Sequence, residues 1–163
     1  MFCPFVNYEK KIGEALIKKR AVLSTSESCT GGLISSLLTD VSGSSDYIKT
    51  NFVTYSNASK EKYIFVSAET LENYGAVSEQ TAKEMALGII KQTGSDYSLS
   101  ITGIAGPTGG TKEKPVGLCY IGLADKEKFV VKKILMPSFL PRKFMKFCFA
   151  KKALFYLKEF LEV

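Results

Sequence analysis

The sequence predicts an α/β fold, a sandwich built on a mixed β-sheet. Over residues 7–104, helix-like and strand-like patterns alternate, the order produced when helices connect successive strands. Two β-rich runs then follow each other across the short polar turn Asp125–Lys128, which reads as an antiparallel hairpin and makes the sheet mixed. With 163 residues, 45% of them hydrophobic, the chain can bury one sizeable core, so a single domain over residues 1–163 is expected.

Each element has a local reason. Asn7 to Lys19 places Ile12, Ala15, Leu16 and Lys19 along one helical side. Ala21 to Ser26 is a short strand, after which Gly31-Gly32 opens a helix through Leu33, Ile34, Leu37 and Leu38. Ser42-Gly43-Ser44-Ser45 stops it. Ile48 to Tyr55 is β-branched and aromatic, hence a strand, and Ser56-Asn57 caps a short helix carrying Lys60. Ser67 to Tyr74 is another short helix closed by Gly75. Ser78 caps a longer one whose apolar face is Met85, Ala86, Ile89 and Ile90. Tyr97–Ile104 is a strand running into the glycine-rich Gly103–Gly110. Val116–Ala124 and Phe129–Met136 form the hairpin. The last helix starts near Arg142 and repeats Phe147, Ala150, Leu154, Leu157 and Leu161 at three- or four-residue spacing.

Composition narrows the chemistry. The chain has no histidine, which excludes Ser-His-Asp and Cys-His catalysis and histidine-ligated metals. Cys3, Cys29, Cys119 and Cys148 are scattered, with no C-x-x-C pair, so neither a zinc site nor a disulfide framework is expected. No apolar run approaches the ~20 residues that span a bilayer. The opening MFCPFVNYEKK lacks the basic-then-apolar order of a secretory signal, so a cytoplasmic location is expected. The net charge of +6 is concentrated late: residues 126–163 hold ten Lys/Arg against three Glu. That field suits an anionic partner such as a phosphorylated metabolite. Nucleic-acid binding is not expected, because the chain has only Arg20 and Arg142 as arginines and no recognisable nucleic-acid motif.

Three small-residue segments flank predicted strands: Ser26–Gly32, Gly43–Ser45 and Thr102–Gly110. At strand ends of open α/β sheets such loops and helix N-termini present backbone N–H groups to ligands. The first is neither a dinucleotide-binding fingerprint nor a P-loop. Without histidine, a nucleophilic serine needs a lysine base, and that lysine must be desolvated enough to be partly neutral. Lys60 stands out among twenty lysines, five residues after Tyr55 and fifteen after Ser45. Cys29 is the rival nucleophile but reads as structural.

These segments carry a resemblance. Ser26-Glu-Ser-Cys-Thr-Gly-Gly32, Gly43-Ser-Ser45, Val53-Thr-Tyr-Ser-Asn57 with Lys60, Gly75-Ala-Val-Ser78, Thr102-Gly-Ile-Ala-Gly-Pro107 with Gly109-Gly110, and Lys114-Pro-Val-Gly117 together resemble the CinA C-terminal-domain family of nicotinamide-nucleotide amidases, from about Val6 to Leu161. The resemblance implies a three-layer α/β/α sandwich with a mixed sheet, assembly as homodimers or larger homo-oligomers, and hydrolysis of nicotinamide mononucleotide to nicotinate mononucleotide and ammonia with neither metal nor cofactor. By motif it makes Ser45 the nucleophile, Lys60 its base and Tyr55 an assisting group. It places Ser28, Thr30, Gly31, Thr102, Gly103 and Gly106 along the substrate site, and Arg142 with Lys146 at the phosphate.

The chain also departs from the family pattern. Leu140-Pro141 stands where Gly-Asp is usual, and Lys146 where a second arginine is usual, which keeps charge but loses the guanidinium fork. Phe65 replaces a glycine and Ser26 an alanine, changes expected to affect packing only. Family members are often fused to an N-terminal nucleotide-processing domain, so the chain reads as a stand-alone amidase or an excised domain. The alternative function is a non-catalytic nucleotide- or partner-binding module of the competence/damage-inducible type.

Overall fold

A computed structural model describes residues 3–163. The strands are β1 (Leu23–Glu27), β2 (Ile48–Val53), β3 (Tyr97–Gly103), β4 (Leu118–Asp125) and β5 (Phe129–Leu135). The helices are α1 (Tyr8–Lys19), α2 (Leu33–Thr39), α3 (Asn57–Ile64), α4 (Ala68–Tyr74), α5 (Glu79–Thr93) and α6 (Arg142–Phe160). One sheet runs β2-β1-β3-β4-β5. β1 is parallel to both β2 and β3, whereas β4 is antiparallel to β3 and β5, so the sheet is mixed as expected. Every predicted element is present. The turn at Ser44–Asp46 closes into one turn of 3-10 helix.

Strand alternation divides the sheet into two unlike faces. Leu23, Leu99, Ile101, Ile121 and Leu123 point to one side and pack on Ile12 and Leu16 of α1, Ile34 and Leu38 of α2, and Phe149, Leu154 and Leu157 of α6. The opposite face carries Ser98, Ser100, Thr102 and Gly122, and α5 lies on it with α3 and α4 outside. Here hydroxyls replace methyls: Ser98 Oγ donates to the Ala86 carbonyl at 2.8 Å and Ser100 Oγ to the Ala82 carbonyl at 2.7 Å. A second, smaller core of Ile64, Val66, Leu71, Met85 and Ile89 joins α3, α4 and α5. The result is the three-layer sandwich.

Lysines of the basic C-terminal stretch are not all solvated. Lys151 is buried and its Nζ lies 2.6 Å from Oε1 of the equally buried Glu9, an ion pair between α6 and α1 that the charge count did not reveal.

The Phe65 substitution reaches beyond packing. Residue 65 ends α3 in the left-handed conformation, φ 58°, with its N–H donating to the Glu61 and Lys60 carbonyls. A side chain is penalised there by about 1–2 kcal/mol, and glycine is not. Phe65 stays half exposed, with the Lys91 ammonium 4.7 Å from its ring centre. Phe65→Gly therefore raises stability by about 1 kcal/mol, read as a higher midpoint in thermal or urea unfolding. Gly88 has the opposite constraint, since a Cβ there would run into the Ile64 carbonyl of α3. Gly88→Ala lowers stability by about 2 kcal/mol or more in the same measurement.

Candidate functional site

β1, β2 and β3 all deliver their C-terminal ends to one edge of the sheet. The chain leaves β1 for β2 on one side and returns from β2 to β3 on the other, so a crevice opens between the ends of β1 and β3. A cavity of about 270 Å³ lies there. Ser28 and Cys29 line it from the turn after β1, Thr102–Gly106 from the end of β3, and Ala76 and Val77 from the segment before α5. Tyr55 and Arg142 stand at its rim.

Small residues shape this wall for steric reasons. A Cβ on Gly103 would lie 2.7 Å from the Leu118 carbonyl of the neighbouring strand, and Gly106 turns the chain at φ 67°. Thr102 is buried, and its hydroxyl donates to the Ala76 carbonyl at 2.7 Å, which draws the segment before α5 over the crevice.

Lys60 is the chemical centre. Its side chain is fully buried although it belongs to a helix carried on the surface of the sandwich. Ser56 fixes that helix with a capping box, its side chain and that of Ser59 each accepting the other's backbone N–H. From α3 the Nζ reaches inward to Ser28 Oγ at 3.2 Å and to the carbonyls of Thr54 at 2.7 Å and Tyr55 at 3.4 Å. No carboxylate appears among these hydrogen-bond partners. Burial therefore lowers the lysine pKa to about 8, against a smaller upward pull from Cys29. Cys119 is buried, and burial together with Cys29 holds its thiol well above the ordinary range.

Arg142, the first residue of α6, donates from Nη1 to the Gly106 carbonyl at 2.7 Å and from Nη2 to the Tyr55 hydroxyl at 3.2 Å. Lys146 is one turn further along the same helix side, with its Nζ 3.4 Å from where a Cβ on Gly31 would stand. Arg142 thus stands at the cavity mouth and Lys146 beside the first glycine turn.

The structure brings Lys60, Ser28, Thr102, Gly103, Gly106, Tyr55 and Arg142 together. It does not bring Ser45 to them. Ser45 precedes the start of β2 and is exposed, whereas Lys60 follows the end of β2. Six residues of strand put about 17–20 Å between those ends. Thr30 is also displaced from its expected role, because its buried hydroxyl donates to Glu27 Oε2 at 2.6 Å rather than facing the cavity. Gly31 lies beside Lys146 rather than on the cavity wall. Tyr55 offers Lys60 its carbonyl, while its hydroxyl serves Arg142.

Two features escaped the sequence reading. The helix N-terminus expected to present free N–H groups has them engaged by Glu27. The Thr54 carbonyl becomes an acceptor for Lys60 only through the fold, which no side-chain motif signals.

The CinA C-terminal domain family model matches residues 6–161. This chain belongs to that family. A CinA-like protein of Endomicrobium trichonymphae is 58% identical over 71% of this chain and 27% of its own length. One from Syntrophomonas wolfei is 59% identical over 63% of this chain and 25% of its own. The matched part of this CinA domain thus covers about a quarter of the length of those relatives. Among solved structures, a competence/damage inducible protein of Agrobacterium tumefaciens superposes with a TM-score of 0.88 at 34% identity, covering 100% of this chain and 99% of that one. A CinA superfamily protein of Klebsiella pneumoniae gives 0.90 at 29% identity, covering 95% and 96%. No helix among the described residues of this CinA domain is long and apolar enough to cross a membrane.

The desolvated lysine is directly measurable. In protein carrying ¹³C-labelled lysine, one ε-methylene signal titrates with a midpoint near 8, below the ordinary lysine range, and Lys60→Met removes that signal. A full set of lysines titrating above pH 10 would contradict the dry environment.

Proposed function

We propose that this CinA domain hydrolyses the carboxamide of nicotinamide mononucleotide to nicotinate mononucleotide and ammonia, with Ser28 as nucleophile and Lys60 as its base. The supporting observation is the arrangement of acceptors around Lys60. When neutral, the amine has two N–H groups and one lone pair. The Thr54 and Tyr55 carbonyls take the two N–H groups, which leaves the lone pair for the Ser28 hydroxyl. A pKa of about 8 keeps roughly a tenth of the lysine neutral at pH 7, enough to act as a base and still return the proton.

The reaction then balances without another group. Ser28 Oγ attacks the carboxamide carbon while Lys60 takes its proton. The C–N bond breaks as Lys60 returns that proton to the departing ammonia, leaving an acyl-serine. Water attacks the acyl carbon, and Lys60 accepts one water proton and passes it to Ser28 as the C–O bond to the serine breaks. The carboxylic acid so released gives its remaining proton to solvent to become the carboxylate. Arg142 and Lys146 hold the 5′-phosphate at the cavity mouth. Ser28 thereby takes the role that motif resemblance assigned to Ser45.

Incubation with nicotinamide mononucleotide and measurement of both products tests this. Ser28→Ala and Lys60→Ala each lose at least ~10³-fold in turnover, while Ser45→Ala stays within about threefold. For the wild type, kcat/KM climbs with pH through about 8 and levels off above it, because the base is the deprotonated lysine. Arg142→Lys raises KM about tenfold with little change in kcat. A wild-type protein that binds the nucleotide without turnover would instead support the non-catalytic binding module.

A further inference from the structure

Glu27 is the last residue of β1 and immediately precedes Ser28. Its side chain is fully buried. An ionised carboxylate removed from water is costly unless donors replace its hydration shell. Five do. Oε2 accepts from the Thr30 hydroxyl at 2.6 Å and from the Gly32 and Ile34 N–H groups at 3.0 Å each. Oε1 accepts from the Ser35 N–H and hydroxyl, both at 2.8 Å. Gly31 and Gly32 adopt φ 64° and 96°, which lets the chain curl around the carboxylate before α2 begins.

The consequence reaches the cavity. Ser28 is anchored on the strand side by its own N–H to the Ile101 carbonyl at 3.1 Å, and its carbonyl accepts from Gly31 N–H at 3.1 Å. The turn that carries its hydroxyl is therefore tied to the sheet at one end and to the Glu27 carboxylate at the other. The main chain of the same residue reaches the base: the Glu27 carbonyl accepts from Thr54 N–H at 2.9 Å, and the Thr54 carbonyl accepts from Lys60.

We propose that Glu27 is the positioning residue of this site, its side chain fixing where Ser28 stands and its main chain fixing where Lys60 stands. This rests on the Ser28–Lys60 reading. Glu27 takes no proton in the cycle, since its carboxylate oxygens bond the α2 turn rather than Ser28 Oγ or Lys60 Nζ. It also fills with the protein's own anion the helix terminus that open α/β sheets commonly offer to a phosphate. The nucleotide's phosphate is left to the cations on α6.

The test compares the full chain with Glu27→Gln, Thr30→Val and Thr30→Ser. Three quantities are followed: turnover of nicotinamide mononucleotide across pH, labelling of Ser28 by a fluorophosphonate read by peptide mass, and the melting midpoint. Glu27→Gln turns backbone donors against an amide NH₂, so kcat and the labelling rate fall together by at least ~30-fold while KM stays within about twofold. The rise of the pH profile stays near 8, because burial and Cys29 set the Lys60 pKa, and only its height drops. Thr30→Val keeps the shape but removes one donor, lowering kcat and labelling about fivefold, and Thr30→Ser restores them.

Glu27→Gln that is folded yet labels and turns over at the wild-type rate overturns the proposal. If Glu27→Gln does not fold, wild-type rates in Thr30→Val do the same. A lower melting midpoint with unchanged kcat also overturns it, since that marks a purely structural carboxylate. Failure of the underlying reading looks different: the wild type itself then neither labels at Ser28 nor releases ammonia.

Discussion

A primary amine sealed from water governs this molecule. Lys60 can occupy its place only if the surroundings offer acceptors without offering a counter-charge. A carboxylate beside it would hold the proton and hold the pKa high. Backbone carbonyls of Thr54 and Tyr55 accept hydrogen bonds from either protonation state, so the lysine stays solvated by protein and able to change charge. Those carbonyls lie outside the strand ladder because β2 ends at Val53: the Thr54 N–H still reaches the Glu27 carbonyl of β1, and the chain then leaves the sheet before α3 is capped at Ser56. The end of one strand and the start of one helix thus prepare the site.

The two faces of the sheet divide the remaining work. The face toward α1, α2 and α6 is aliphatic and supplies most of the apolar burial. The face toward α5 gives up much of that area to serines, a threonine and glycine, and gains close approach. Gly122 lets the sheet meet the Ala82 carbonyl, and hydroxyls of Ser98, Ser100 and Thr102 bond to carbonyls of α5 and of the segment before it. A hydroxyl–carbonyl bond fixes direction where a methyl contact permits sliding. The segment at Ala76 and Val77 is held over the cavity by that polar face.

Much of this was legible from residue order. Residue period located the helices and strands among the described residues. The caps read at Ser56 and Ser78 do accept a backbone N–H of the helix that follows, as do Asn7 and Ser67, whereas α2 and α6 begin without a side-chain cap. Lys60 was legible because a histidine-free chain leaves few bases. The partner of Lys60 was not. Ser28 and Ser45 both sit in small-residue turns next to strands, and only the direction of β2 in the sheet shows that one turn lies at the chemical end and the other at the opposite end. Residue spacing carries no such direction. Glu27 stayed silent for a related reason: its role is to accept from residues three to eight positions on, through a turn whose shape depends on two positive-φ glycines.

The segment ahead of α6 shows how altered residues can leave a site's geometry standing. Pro141 offers no side chain to cap α6, yet its fixed φ of −57° suits a helix start, and the Met145 N–H reaches the Pro141 carbonyl at 2.8 Å. Arg142 remains at the rim with two of its donors engaged by Gly106 and Tyr55. That engagement orients the guanidinium while reducing the donors left for a ligand. Lys146 then supplies charge from the adjacent turn, near Gly31, as a single flexible ammonium. Under the proposed function, phosphate recognition would therefore combine one oriented, partly committed guanidinium with one flexible point charge. Such a pair would discriminate less by phosphate geometry than two free arginine forks, and more by the distance between the proposed phosphate and carboxamide positions.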